Sequence, residues 1–122
     1  MAKGDGIEKR LVNFAVRIVK VSDSLPSKRS ANHIAGQLLR SGTSPAAQYA
    51  EARAAESSKD FQHKLKLCYK ELNETRVWLK IIIQSQLTQP EKMSSLFQEC
   101  DELCRIISAS INTSRQNQNR SD

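Results

Sequence analysis

Residues 58–84 read SKDFQHKLKLCYKELNETRVWLKIIIQ. Within them Phe61, Leu65, Cys68, Leu72, Thr75, Leu79 and Ile82 alternate steps of four and three. That rhythm places all seven on one face of an α-helix, the face that packs against neighbouring helices. Ser57 stands just ahead, with Asp60 three residues further on, a spacing that caps a helix N-terminus.

The same rhythm recurs on both sides. Downstream, Thr88-Gln89-Pro90-Glu91 supplies a cap, an early proline and a glutamate at the third helical position. Met93, Leu96, Phe97, Cys100, Leu103, Cys104, Ile107 and Ile111 then carry a last helix to about Asn112. Upstream, Ile7, Leu11, Phe14, Ile18 and Val21 mark a first helix, which Asp23-Ser24-Leu25-Pro26-Ser27 breaks. Between them, residues 28–56 carry Ile34, Leu38 and Tyr49 among many alanines and glycines that let backbones approach closely. Ser41-Gly42-Thr43-Ser44-Pro45 either divides this segment into two helices or kinks one long helix, since Gly and Pro both weaken a helix interior. One long helix, kinked near Gly42-Pro45, is the reading adopted here.

Four antiparallel neighbours joined by short connections make an all-α, antiparallel up-down four-helix bundle over residues 7–113. The helix-stopping signals near 23–27, 56–58 and 85–90 argue against one continuous coiled coil. Residues 1–6 and the wholly polar 114–122 are expected to be disordered.

Composition agrees with one helical domain. The chain has 122 residues, 39% apolar and 26% charged, with only four glycines and three prolines. No run approaches the 18 or so unbroken apolar residues of a membrane span, and the N-terminus has no hydrophobic signal core. A cytoplasmic location is the expectation. Cys68, Cys100 and Cys104 are an odd set, consistent with reduced thiols there.

Chemistry is sparse. His33 and His63, the only histidines, have no Cys, Asp or Glu at metal-ligand spacing, so no metal or cofactor is expected. Cys100 and Cys104 fit the core stripe of their helix, where cysteine packs as a small hydrophobe. No phosphate loop and no nucleophile-and-base pair is present, which argues against an enzyme. Glu71 and Glu74 read as a solvated salt-bridge face beside Lys70 and Arg76.

Two features remain. Leu67, Trp78 and Ile81, beside Val77, lie off the core stripe of their helix, as do Val12, Val16 and Val19 on the first. A second apolar seam on a helix widens the core or binds another subunit, and the bulk of Trp78 and Ile81 favours the subunit. Charge is the other. The net charge is +6, with 15 Lys/Arg against 8 Asp/Glu in residues 1–80. Lys59, His63, Lys66 and Lys70 fall on one helical arc opposite Phe61–Leu72. Arg10, Arg17 and Lys20 lie on the outer side of the first helix. Cations a turn or two apart can meet successive phosphates and gain affinity by releasing counterions. With few exposed aromatics nearby, such contact would follow the backbone of a nucleic acid. The bland alternative is an ordinary solvated face on a protein-interaction scaffold.

The run Gln37-Leu38-Leu39-Arg40-Ser41-Gly42-Thr43-Ser44-Pro45-Ala46-Ala47-Gln48-Tyr49-Ala50-Glu51-Ala52 resembles a signature of the bacterial four-helix-bundle family named for open reading frames in 23S rRNA intervening sequences. Ser58-Lys59-Asp60-Phe61 with Lys64-Leu65, and Lys70-Glu71-Leu72-Asn73-Glu74-Thr75-Arg76-Val77-Trp78-Leu79, resemble a second. The resemblance covers roughly residues 10–110. It implies a small cytosolic bundle that assembles into a homopentameric ring with a basic surface, and a more distant likeness to the nucleic-acid-binding accessory proteins of diversity-generating retroelements. Arg40, Glu51 and Arg53 match polar positions of the family, which implies that they hold helices or subunits together. Gln48 departs from the pattern, where asparagine is expected.

Together these readings predict a non-enzymatic homo-oligomer, a pentamer by the resemblance, that binds RNA or DNA. Arg10, Arg17, Lys20, Lys59, Lys66 and Lys70 would contact phosphates, and Leu67, Trp78 and Ile81 would meet a neighbouring subunit.

Overall fold

The computed structural model describes residues 4–121; residues 1–3 and Asp122, parts of the expected disordered termini, lie outside them. The described chain forms four helices, α1 (Asp5–Ser24), α2 (Arg29–Arg53), α3 (Ser58–Gln84) and α4 (Pro90–Ser121), and no strand. Each helix packs on its sequence neighbours, α1 on α2, α2 on α3 and α3 on α4, while a sparser α1–α4 seam closes the up-down bundle. α1 and α3 are therefore diagonal, as are α2 and α4.

The boundaries follow from local chemistry. Ser57 Oγ accepts the Asp60 N–H at 3.1 Å, the cap that the sequence predicts. α3 ends without a glycine: Gln86 takes the left-handed conformation at φ 55°. The Leu87 and Gln86 N–H groups then donate to the Ile82 and Ile83 carbonyls, both at 3.2 Å, and half-buried Leu87 folds onto the core.

α2 is one helix through Gly42-Pro45. The hydroxyls of Thr43 and Ser44 donate back to the Leu39 and Arg40 carbonyls at 2.7 and 2.6 Å, a local bond that helices tolerate with slight bending. Pro45 itself is buried. Gly42 faces α1 so closely that a Cβ there would stand 2.7 Å from Ile18 Cγ2.

Two boundaries differ from the sequence expectation. Asp5 and Gly6 already belong to α1, because the Arg53 guanidinium grips Asp5 at 2.7 Å and Glu8 at 3.1 Å. α4 runs on to Ser121 instead of stopping near Asn112. Ser114 and Gln118 continue the inward stripe beyond Ile111 with polar side chains, and the Gln62 amide donates to Gln118 Oε1 at 2.6 Å.

The core is the predicted stripe from all four helices, with Leu11, Phe14, Ile18, Leu38, Leu65, Leu72, Leu79, Ile82, Met93, Leu96, Leu103 and Ile107 fully buried. One polar pair interrupts it: the buried hydroxyls of Ser41 and Thr75 hydrogen-bond at 2.9 Å across α2 and α3. No described helix is long and apolar enough to cross a membrane.

Candidate nucleic-acid interface

α3 carries its cations where its own periodicity puts them. With Leu65, Leu72 and Leu79 in the core, a residue five positions further on, as Lys70 is from Leu65, is rotated about 140° and points outward. Lys59, Lys66 and Lys70 are all exposed. None of the three has a carboxylate within ion-pair distance among the described residues.

The reason lies across the helix boundary. Glu71 and Glu74 do not form a solvated face with Lys70 and Arg76; Arg40 of α2 takes both, bonding Glu71 at 3.0 Å and Glu74 through its other terminal nitrogen. Trp78 Nε1 also donates to Glu74 at 3.0 Å. Glu71 and Glu74 are thus turned toward α2, and Lys59, Lys66 and Lys70 are left without a counter-charge among the described residues. Glu51 pairs with Lys64 at 2.9 Å, so Arg40, Glu51 and Arg53 all tie helices together within the chain.

The α1 cations lie elsewhere. Arg10 forms a two-pronged pair with Glu99 of α4, Nη2 to Oε1 at 2.5 Å and Nε to Oε2 at 3.1 Å, with Glu102 at 3.8 Å. Its charge is thus partly compensated inside the chain by Glu99 and Glu102. That bond holds its guanidinium pKa above the ordinary value. Arg17 Nη2 donates to Ser95 Oγ at 3.0 Å, and Lys20 is exposed. Since α1 is diagonal to α3, the six predicted residues form two separate faces rather than one.

A groove that the sequence reading missed runs between α3 and α4. Tyr69, Asn73 and Arg76 line it from α3, and Arg105, Ser108 and Asn112 from α4. Arg105 pairs with Asp101 at 2.6 Å, but among the described residues the half-buried Arg76 guanidinium hydrogen-bonds to the neutral Asn73 Oδ1 alone, at 3.2 and 3.3 Å. Cys104 also lines it. A hydrogen bond from Cys100, helped by the Arg76 charge, draws the Cys104 thiol below its ordinary pKa. The Cys100 thiol moves up in return, and burial pushes Cys68 up to about 12. Among the described residues no group of three His, Cys, Asp or Glu side chains is placed to hold a metal ion.

The predicted subunit contacts divide. Ile81 is exposed beside Val77, and Leu67 is half-buried. Trp78 packs against the core and meets His33 of α2 edge-to-face, ring centres 6.2 Å apart, so much of its indole is already engaged within the chain. On α1, Val12, Val16 and Val19 are 47%, 47% and 40% exposed. Gln48 Oε1, at the position that departs from the family pattern, is buried without a hydrogen-bond partner.

Comparison with known proteins adds the following. A family model described as 23S rRNA-intervening sequence protein matches residues 7–109. A crystal structure from Bacteroides thetaiotaomicron VPI-5482, described as a protein with unknown function from the S23 ribosomal protein family, is similar at 33% identity and a TM-score of 0.81. The alignment covers 86% of this chain and 97% of that one. No curated protein matches the chain.

Proposed function

The chain belongs to the 23S rRNA-intervening sequence protein family, and on that premise we propose that it is a non-enzymatic, cytoplasmic, homo-oligomeric accessory protein that binds RNA or DNA through the outer face of α3. The observation that carries this reading is the uncompensated charge of Lys59, Lys66 and Lys70, whose neighbouring acids are held by Arg40 and Trp78. Free cations on a rigid helix suit a phosphate backbone, because displaced counterions supply the affinity and no base need be read.

Self-association draws support from two exposed apolar faces on diagonal helices, Val12, Val16 and Val19 on α1 and Val77 and Ile81 on α3. Two unlike faces suit a head-to-tail contact that closes a ring, and a pentamer is the size that the family resemblance implies. The same apolar faces favour the rival reading, a scaffold for other proteins whose charge serves solubility.

The test is retention on RNA, DNA and heparin at two salt concentrations. Wild type should bind and be released by salt. Changing Lys59, Lys66 and Lys70 together to Glu should weaken binding to every sequence while leaving the circular dichroism unchanged. On duplex DNA the slope of log affinity against log salt should shallow by about 0.9 per lost contact. A wild type with no salt-dependent binding would favour the scaffold.

A further inference from the structure

We propose that the groove between α3 and α4 seats one unpaired nucleic-acid strand, with a phosphate on Arg76 and a base stacked on Tyr69. The inference rests on the nucleic-acid reading above and names its substrate class: single-stranded rather than duplex.

Three observations lead there. First, the cations of α3 do not end at Lys70. Lys59, Lys66, Asn73 and Lys80 recur every seven residues, a spacing that drifts by only about 20° per step, so they form one stripe along the flank of α3 beside the groove. From Lys59 to Lys80 that stripe is about 31 Å long at 1.5 Å per residue, enough for several nucleotides. Arg105 faces it from α4.

Second, Arg76 is a half-buried guanidinium whose only hydrogen-bond partner among the described residues is the neutral oxygen of Asn73. A partly desolvated cation without counter-charge gains from an anion that can reach it, and a guanidinium fork matches two phosphate oxygens. The amide and hydroxyl groups of Asn112 and Ser108 stand on the opposite wall as further donors. Asp101, the acid of this groove, is held by Arg105.

Third, Tyr69 is the large aromatic left exposed on this side of the molecule, 37% accessible and at the groove mouth two turns from Arg76. A base face can lie on a tyrosine only when the base is unstacked, which a duplex does not allow. Packed helices run about 8–10 Å apart. The furrow between them admits a single sugar–phosphate backbone, whereas a double helix would ride on the lysine ridge and never reach Arg76.

The experiment measures fluorescence anisotropy of one labelled sequence as single-stranded RNA, single-stranded DNA and duplex, at two salt concentrations, with the full chain. Wild type should favour the single strands by about tenfold or more. Tyr69→Leu should cost about tenfold on single strands, the usual loss of one stacking platform, and leave the duplex unaffected. Tyr69→Phe keeps the ring and should restore binding, which separates stacking from any loss of fold. Arg76→Gln should shallow the single-strand salt slope by about 0.7, one phosphate contact. Equal affinity for duplex, or a neutral Tyr69→Leu alongside a damaging triple lysine change, overturns the groove and leaves the basic face of α3 standing. Absence of salt-dependent binding to all three probes overturns both.

Discussion

Gly42 and Gly36 lie less than two turns apart on α2, yet alanine at the two positions should have opposite effects. At Gly42 an added Cβ would meet Ile18 Cγ2 at 2.7 Å and Cγ1 at 2.8 Å. Ile18 is fully buried and branched at Cβ, so it cannot swing aside. Overpacking of this kind costs about 1–3 kcal/mol, and Gly42→Ala should lower the urea midpoint accordingly. Gly36 has open space around it, and Gly36→Ala should raise stability by about 0.5–1 kcal/mol through helix propensity. Urea melts of both variants check the pair, and a Gly42→Ala protein as stable as wild type would contradict the close approach. The sequence reading recognised these small residues as a means of close approach but could not tell one glycine from the other. The distinction depends on which side of α2 meets α1, a register that no local pattern encodes. Cys104 makes the same point: its stripe position was legible, its place in a cationic groove was not, because Arg76 reaches it from another helix.

Among elements, α3 was the most legible, since its cap and its heptads are both local and the structure returns Ser58–Gln84. α4 was less so beyond Ile111, because a search for apolar residues passes over Ser114 and Gln118, polar side chains that continue the same face. The acids of α3 were assigned to cations on their own helix; the geometry gives them to Arg40, some 30 residues away in sequence. The basic face was thus predicted correctly as exposed but for an incomplete reason, and the α3–α4 groove was invisible because it exists only once two helices meet. Exposed helix faces carry their own prediction. If the α1 valines dock on Val77 and Ile81 of the next copy, Val16→Glu and Ile81→Lys should each reduce the mass seen by light scattering to well below that of the wild-type oligomer. Mixed in equal amounts, the two variants should pair, because each retains the face that the other has lost. A monomeric wild type at tens of micromolar, or variants that fail to pair on mixing, would count against the head-to-tail contact.

At the scale of the molecule, the up-down order follows from short connections alone, but the uneven closure of the bundle does not. Three of its four interfaces join helices that are consecutive in the chain; only α1–α4 joins distant ones, and it is the sparsest. Its firmest polar link is the two-pronged Arg10–Glu99 pair. That asymmetry has a meaning in time. Contacts between sequence neighbours cost little loop closure, so chains dominated by them fold quickly. The three hairpin-like interfaces can then zip in succession, and the seam between first and last helix, which must wait for both, is expected to close last. Arg10→Ala should then leave the folding limb of a stopped-flow chevron almost unmoved while the unfolding limb rises a few-fold, the signature of a contact absent from the transition state. A folding limb that slows in step with lost stability would instead place the seam among the earliest contacts. On the first outcome, the pair that holds α1 to α4 sets how long the native bundle lasts and leaves the speed of its formation to the rest.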